Sequence, residues 1–258
     1  MKKTLLFATI IFTLVIMAAC GKSNNEGADK ESGKANKVLT MATSADFAPF
    51  ESRDTAGNPQ GFDIDLANMI AKELGYKLEI KDMKFDGLIG ALQANRADMV
   101  LAGMSATEKR KKNVDFSTEY NRSGEMFITL KGSNIKTVDD LKGNTVGVQL
   151  GTIQEEGAKA LQKKVKFDVK PLDNATTLIQ ELLSKRIQVA YMDKSVATGY
   201  IKKQNLAGFD DPTSSSPGMA VAFPKGSKLV GDVNGVLKKL EDNGKLQELK
   251  DKWLKDQQ

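Results

Sequence analysis

The sequence predicts an α/β protein of two lobes, each a mainly parallel sheet covered by helices. Apolar runs of strand length alternate with amphipathic helical patterns, and such alternation is typical of parallel, helix-covered sheets. The order strand, helix, strand, helix, strand occurs twice, within 38–103 and again within 145–193. The 258 residues leave room for two lobes of about 90 to 100 residues each.

The first twenty residues, MKKTLLFATIIFTLVIMAAC, predict an export signal. Two lysines precede an apolar run that ends at Ala19 and is shorter than the roughly 18 residues of a membrane-spanning helix. Cys20 is the only cysteine, so no intrachain disulfide can form. The MAAC context resembles the lipobox of bacterial lipoproteins, which implies a lipoprotein signal peptide at 1–19 and lipidation of Cys20. Cleavage near Ala19 to release a soluble protein is the alternative.

The next segment, which with Cys20 covers 20–36, predicts a flexible tether. GKSNNEGADKESGKAN has almost no apolar side chains and cannot bury enough surface to offset its ordering entropy. The formal charge of the whole chain is +5, cations alternate with acids, and only 6% of residues are aromatic, so we do not expect nucleic-acid binding. The absence of histidine excludes histidine-based catalytic triads and histidine-ligated zinc. We expect no metal and no other cofactor.

Two stretches ninety residues apart resemble each other. LIGALQANRADMVLAG (88–103) and LIQELLSKRIQVAYMD (178–193) share Leu, Ile, Leu and Arg at matching places, and each predicts a helix, a polar turn and a strand. The preceding segments also correspond. VLTMATSADF and TVGVQLGTIQ predict strands, DIDLANMIAKELG and QEEGAKALQ predict helices, and YKLEI and VKFDV predict strands. Four identities are few, so a chance similarity stays open.

Two predicted helices begin directly after apolar strands. Ser105 with Glu108 fits the capping-box pattern, and Thr152 with Glu155 repeats the spacing in the second half. The alternative to capping is an anion site, because a helix N-terminus leaves backbone N–H groups unpaired. Ligands of open α/β sheets lie beyond the carboxyl ends of the strands, and Arg110 can form a two-pronged pair with an anion there.

Asp193 supplies the opposite charge at the matching strand end, and Phe47 and Phe85 lie near the same predicted edge. A guanidinium, helix amides, a carboxylate and aromatic rings together suit an α-amino acid. Each residue also has a purely structural interpretation. Arg110 can be a solvated surface cation, Asp193 can cap the helix KSVATGYIKK, and the two phenylalanines can belong to the core.

Five segments together resemble the polar amino acid solute-binding proteins of ABC importers, family 3 of the bacterial extracellular solute-binding proteins. They are TSADFAPFE, GFDIDLANMIAKELG, FDGLIGALQANRADMVLAGMSATEKRKKNVDFS, LKGNTVGVQLGTIQEE and AYMD. The resemblance implies a two-lobed, periplasmic-binding-protein-like fold of type II, joined by hinge crossovers at NRSG and TSSSPG. It implies a lobe 1 of 37–121 plus 218–258 and a lobe 2 of 122–217. The final helices, which break at Asn243 and Gly244, are then expected to pack on lobe 1.

The same resemblance implies how the ends of the ligand are held. Arg110 is expected to bind the α-carboxylate together with main-chain amides and a hydroxyl of Gly103 and Ser105 and with the amide of Ile153. Asp193 is expected to hold the α-ammonium. The full set of expected ligand-binding residues is Ser44, Phe47, Phe85, Gly103, Ser105, Arg110, Gln149, Thr152, Ile153 and Asp193.

Phe47 and Phe85 are expected to sandwich the ligand side chain. Ser44 stands where several relatives have aspartate, and Gln149 holds another position near the tip of the ligand. Asp46 or Glu51 is then the source of negative charge for a cationic ligand.

The sequence therefore predicts a monomeric receptor, lipid-anchored at the extracellular face of the cell membrane, that passes a polar L-amino acid to an ABC transporter permease. A basic amino acid, arginine or lysine, is the first expectation, and glutamine or cystine is the next. One alternative is a fold-related enzyme such as a dehydratase, for which Glu51 is the only candidate cleft acid. Another is an inorganic-anion receptor, which has little use for Asp193 or the phenylalanines.

Overall fold

The computed structural model describes residues 37–255, which contain two five-stranded sheets. The first sheet takes its strands from the beginning and the end of this range. Its strands are β1 (Val38–Thr43), β4 (Lys77–Asp82), β5 (Met99–Val100), β6 (Val114–Asn121) and β12 (Met219–Pro224). Their spatial order is β4-β1-β5-β12-β6. Strand β1 pairs in parallel with β4 and β5, whereas β12 runs antiparallel to both of its neighbours.

The second sheet lies between these segments in the sequence. Its strands are β7 (Glu125–Leu130), β8 (Thr145–Gln149), β9 (Asp168–Leu172), β10 (Val189–Asp193) and β11 (Leu206–Asp210). Their order is β11-β7-β10-β8-β9, with β8 parallel to β9 and β10 and with β7 antiparallel to its neighbours. A hairpin of β2 (Ser52–Arg53) and β3 (Pro59–Gln60) completes the strands of the described region.

Helices cover both sheets. Those that pack with the first sheet or with one another there are α1 (Phe62–Leu74), α2 (Leu88–Gln93), α3 (Glu108–Lys111), α7 (Leu229–Asp242) and α8 (Lys245–Trp253). Those on the second sheet are α4 (Ile153–Leu161), α5 (Ala175–Leu183) and α6 (Lys194–Gln204). The predicted break after α7 is confirmed, since Gly244 has a φ of 78°. Within 37–255, no helix is long and apolar enough to cross a membrane.

The two halves share one topology, which confirms the internal similarity. In each sheet the three strands of the repeat lie side by side in the order second, first, third. The strand next to the third one is antiparallel, and the chain reaches it by crossing over from the other sheet. Leu88 and Leu178 are both fully buried at matching positions. Asn95 and Lys185, also ninety residues apart, both have positive φ, 52° and 61°, in the turn between helix and strand.

One predicted strand is wrong in its position. VKFDV was expected to be extended over 165–169, but β9 begins at Asp168 and continues to Leu172. Val165 still donates its N–H to Leu161 O at the end of α4, so the chain is not yet extended there. Pro171 is tolerated in β9 because this strand lies at the edge of its sheet.

The chain crosses between the sheets twice, and we call the first sheet with its helices lobe 1 and the second lobe 2. Residues 122–124 connect β6 to β7, and 211–218 connect β11 to β12. The predicted lobe boundaries fall in these connections and stay a prediction. The expected signal peptide, the tether and Cys20 lie outside the described residues.

Candidate functional site

All ten residues expected to bind a ligand line one cavity. Lobe 1 contributes six of them: Ser44, Phe47, Phe85, Gly103, Ser105 and Arg110. The four that lobe 2 contributes are Gln149, Thr152, Ile153 and Asp193. The cavity therefore lies between the lobes, beyond strand ends of both sheets, as expected for a parallel α/β architecture.

Arg110 is a buried cation held by neutral oxygen atoms. Its side chain reaches across the cleft: one terminal nitrogen donates to Ser105 O at 2.9 Å, and the other donates to Gly151 O in lobe 2 at 3.0 Å. Burial lowers the pKa of Arg110 to about 10, although the charge of Glu156 opposes this shift. The guanidinium carbon also lies 5.3 Å from the centre of the Phe85 ring. A buried guanidinium with carbonyl partners can bind an anion strongly.

The capping box predicted at Ser105 is wrong. Thr107 caps α3 instead, with its Oγ1 accepting from Arg110 N at 3.2 Å. Glu108 pairs with the exposed Lys111 at 2.8 Å rather than with the backbone. Because α3 has only four residues, the favourable site for an anion in lobe 1 depends on the Arg110 side chain.

The second predicted cap is confirmed. Thr152 caps α4, and its Oγ1 accepts from Glu155 N at 3.2 Å. Glu155 returns a bond to the backbone, but it accepts from Gly151 N, at 2.7 Å, rather than from Thr152. The first residue of α4, Ile153, faces the cavity, and N–H groups of a first helical turn have no partner within the helix.

Gly103 cannot offer its amide to a ligand, so that part of the expectation is wrong. Its N–H donates to the carboxylate of Asp63 at 2.7 Å, and Tyr120 donates to the same oxygen at 2.8 Å. Its φ of 55° lies in the left-handed region, and a Cβ there would lie 3.2 Å from the Phe47 ring. Gly103 still lines the cavity, but its N–H is already used within lobe 1.

Asp193 both caps a helix and lines the cavity. Its Oδ1 accepts from Ser195 N at 2.8 Å, from Val196 N at 3.3 Å and from Ser123 Oγ at 3.1 Å, which makes it the cap of α6. These bonds use one carboxylate oxygen, so Oδ2 has lone pairs for a donor in the cavity. Burial raises the pKa of Asp193 to about 7, and the hydrogen bonds oppose this rise. An ammonium beside it would favour the carboxylate.

Asp46, rather than Glu51, is the acidic side chain of lobe 1 that lines the cavity. Asp46 lines the cavity and accepts from Ser44 Oγ at 3.0 Å, while burial raises its pKa. Glu51 is 0% exposed and does not line the cavity. Gln149 has a buried Nε2 with no hydrogen-bond partner among the described residues, so it can donate to a ligand.

Sequence reasoning missed two residues of the cavity, Gln154 and Met219. Gln154 follows Ile153 in the first turn of α4, and its side chain donates to the buried Glu125. Met219 is the first residue of β12 and pairs with Ser105 across a short bridge. Nothing in the local sequence around Met219 indicates the cavity. The strand next to β12 is ~100 residues away in the chain, and the chain brings the two together only by crossing back from lobe 2.

The family model of the bacterial extracellular solute-binding proteins, family 3, matches residues 39–256. The chain belongs to this family. It is 44% identical over 256 residues to the arginine-binding extracellular protein ArtP of Bacillus subtilis (strain 168), and the match covers 98% of each chain. The family explains why two halves of one topology enclose a single cavity.

Two solved structures extend the comparison. A structure of an ancestral arginine-binding protein bound to arginine is 40% identical, with a TM-score of 0.81, and covers 85% of this chain and 99% of its own. The ancestral amino acid-binding protein AncCDT-1, a precursor of cyclohexadienyl dehydratase, is 36% identical, with a TM-score of 0.78, and covers 84% of this chain and 95% of its own. Both support the type II two-lobed fold of the family.

Proposed function

We propose that the protein is an extracellular receptor that binds a polar L-amino acid and delivers it to the permease of an ABC transporter. One observation carries the proposal. A buried cation, Arg110, and a buried acid, Asp193, line the same cavity from different lobes. A free α-amino acid carries an anion and a cation on one carbon, so it can bind both side chains only when the lobes are closed.

Within this class we propose arginine as the ligand, with lysine next and glutamine or cystine as further candidates. The relationship to proteins named as arginine-binding supports this choice. The partly buried carboxylate of Asp46 and the Nε2 of Gln149, which has no partner among the described residues, supply polar groups in the cavity. Phe47 and Phe85 line its walls and can cover the aliphatic stem of the ligand.

The ends of the chain are assigned by the sequence alone. We propose that 1–19 is a lipoprotein signal peptide, that Cys20 carries the lipid anchor, and that 20–36 tethers the receptor to the membrane. We further propose that 37–121 with 218–258 and 122–217 move as two lobes about the crossovers, and that the receptor acts as a monomer. The MAAC motif and the polar composition of 21–36 support the first of these assignments.

An enzymatic function has less support. A fold-related dehydratase needs a cleft acid beyond the groups that hold the substrate. The candidate from the sequence, Glu51, is fully buried outside the cavity lining. The related AncCDT-1 is itself described as an amino acid-binding protein.

Loss of Arg110 tests the proposed site directly. Micromolar binding corresponds to about 8 kcal/mol, and removing one partner of a buried charge pair costs about 3 to 5 kcal/mol. Arg110→Ala is therefore expected to weaken arginine binding at least a hundredfold in titration calorimetry. The control is Lys112→Ala, which removes a nearby exposed cation and is expected to leave the affinity unchanged.

A thermal-shift screen of the twenty amino acids and cystine selects the ligand, because a compound that binds the folded state raises the melting temperature. Unchanged affinity in Arg110→Ala would refute the role given to Arg110. A larger shift with sulfate or phosphate than with any amino acid would favour the inorganic-anion receptor.

A further inference from the structure

Asp46 makes a hydrogen bond that crosses the cleft. It lies in lobe 1, three residues after Thr43, the last residue of β1, yet its Oδ2 accepts from Ala175 N of lobe 2 at 2.7 Å. Its other oxygen accepts from Ser44 within lobe 1. One side chain of the cavity wall thus connects the two lobes.

Ala175 is the first residue of α5, a helix of nine residues. Asn174 caps the helix from within lobe 2 by accepting from Thr177 N at 2.7 Å. The first turn of α5 contains no acidic residue, in contrast to α4, which has Glu155 and Glu156 there. Asp46 therefore supplies, from the opposite lobe, the negative charge that a helix N-terminus favours.

A second contact holds the same turn from lobe 1. Lys84 pairs with Asp173 at 2.6 Å, two residues before Ala175. Both side chains are more than half exposed, so this pair is expected to contribute little. Asp46 is the better-placed group, because its contact is partly buried and charge-assisted.

We propose that Asp46 is a positioning residue that couples ligand occupancy to lobe closure by docking onto the N-terminus of α5. The inference rests on the proposed function, because it takes the cavity to be the ligand site. Closure brings the Asp46 carboxylate to Ala175 N, and opening removes it. The contact exists only in the closed form, so it raises the population of that form and with it the affinity for a ligand that binds between the lobes.

Two variants separate the charge of Asp46 from its role as a hydrogen-bond acceptor. Asp46→Asn removes the charge but keeps a carbonyl oxygen for Ala175 N, whereas Asp46→Ala removes both. We expect arginine to bind Asp46→Ala about tenfold more weakly than Asp46→Asn, since both lack the charge and differ in the acceptor. At saturating arginine, small-angle scattering is expected to show wild type and Asp46→Asn contracted and Asp46→Ala less so.

Asn174→Ala is the matched control, because it removes a cap of the same helix from within lobe 2. It is expected to lower the melting temperature of the ligand-free protein and to leave the affinity within about threefold of wild type. Asp46→Ala is expected to leave the melting temperature of the ligand-free protein nearly unchanged and to lower the affinity for arginine.

Equal affinities and equal radii of gyration for Asp46→Ala and Asp46→Asn would overturn the closure role. A loss shared by both variants, with no difference between them, would assign Asp46 to the charge of the ligand alone. Neither result affects the receptor proposal, which fails only if the wild-type protein binds no amino acid.

Discussion

At the scale of single residues, the cavity holds ionised groups whose partners are neutral. Arg110 donates to two carbonyl oxygens, and Asp193 accepts from two backbone N–H groups and a hydroxyl. Such partners orient a buried charge without neutralising it. Each charge therefore remains available for an opposite charge on a ligand, which is what a receptor for a dipolar molecule requires.

The raised pKa of Asp193, about 7, predicts that affinity depends on pH. An ammonium favours the carboxylate, so binding below pH 7 releases a proton from Asp193. The affinity for arginine is expected to rise with pH up to about 7, by as much as about tenfold per pH unit, and then to level off. Titration calorimetry between pH 5.5 and 8 measures this profile, and a flat profile below pH 7 would contradict the role of Asp193.

The stability of the ligand-free protein is expected to fall as pH rises, whereas the affinity rises. The pKa of Asp193 is raised by burial, and that of Glu125 is raised to about 8 by burial and by the charges of Asp193 and Asp211. The folded state then binds more protons than the unfolded state from about pH 5 to 8, so the free energy of unfolding falls as pH rises. Asp193→Asn is the control: it is expected to bind weakly at every pH, to flatten the affinity profile and to leave in the stability profile only the part due to Glu125.

Several residue roles were predictable because they follow from local chemistry. Asp193 is the last residue of β10, Arg110 lies in the short helix that follows β5, and the chemistry of an amino acid calls for their two charges. The cap at Ser105 failed because α3 begins only at Glu108, so the residue in the capping position is Thr107. The contact of Asp46 with Ala175 joins residues 129 positions apart, and no local pattern contains it.

At the scale of secondary-structure elements, the start of α1 depends on one glycine. Gly61 precedes Phe62 with a φ of 136°, and a Cβ at this position would lie 2.2 Å from Phe50 O. A side chain there requires both a strained backbone and movement of the loop that follows Phe47 in the cavity wall. The glycine in GFDIDLANMIAKELG is therefore required by close approach of two backbone segments.

Gly61→Ala is expected to destabilise the protein by about 2 to 4 kcal/mol, from backbone strain and overpacking together. Gly57→Ala is the matched control, since Gly57 also has a positive φ, 86°, but has open space around its Cβ. It is expected to cost about 1 kcal/mol. Urea unfolding of both variants measures the difference, and equal costs would show that the contact with Phe50 O does not matter.

The elements themselves were largely predictable, because periodicity and turn residues are local. The strands and helices of the repeat were expected, and β1, α1, α5, β10 and both final helices lie close to their predicted positions. Strand β9 was misplaced because Pro171 obscured its end and because its position at the sheet edge is a property of the tertiary fold. The antiparallel strands that cross between lobes could not be paired from local sequence.

At the scale of the whole molecule, contacts between the two lobes occur at several places around one cavity. Arg110 contacts Gly151 across the cleft, and Lys109 pairs with Glu156 at 2.6 Å nearby. Asp46 contacts Ala175, the first residue of α5, and Lys84 pairs with Asp173 just before that helix. The two crossovers are also joined, since Arg122 donates to Ser216 O at 3.3 Å. We therefore expect ligand binding to change the separation of the lobes rather than the structure of either one.

The central claim is that Arg110 binds the carboxylate of an amino acid held between the lobes. The most direct measurement is a calorimetric cycle that compares arginine with agmatine, its analogue without the carboxylate, in wild type and in Arg110→Ala. In the wild type, loss of the carboxylate is expected to weaken binding at least a hundredfold. In Arg110→Ala, this loss is expected to be at least tenfold smaller, because only neutral partners such as the N–H of Ile153 remain for the carboxylate. An equal loss on removal of the carboxylate in both proteins would contradict the account.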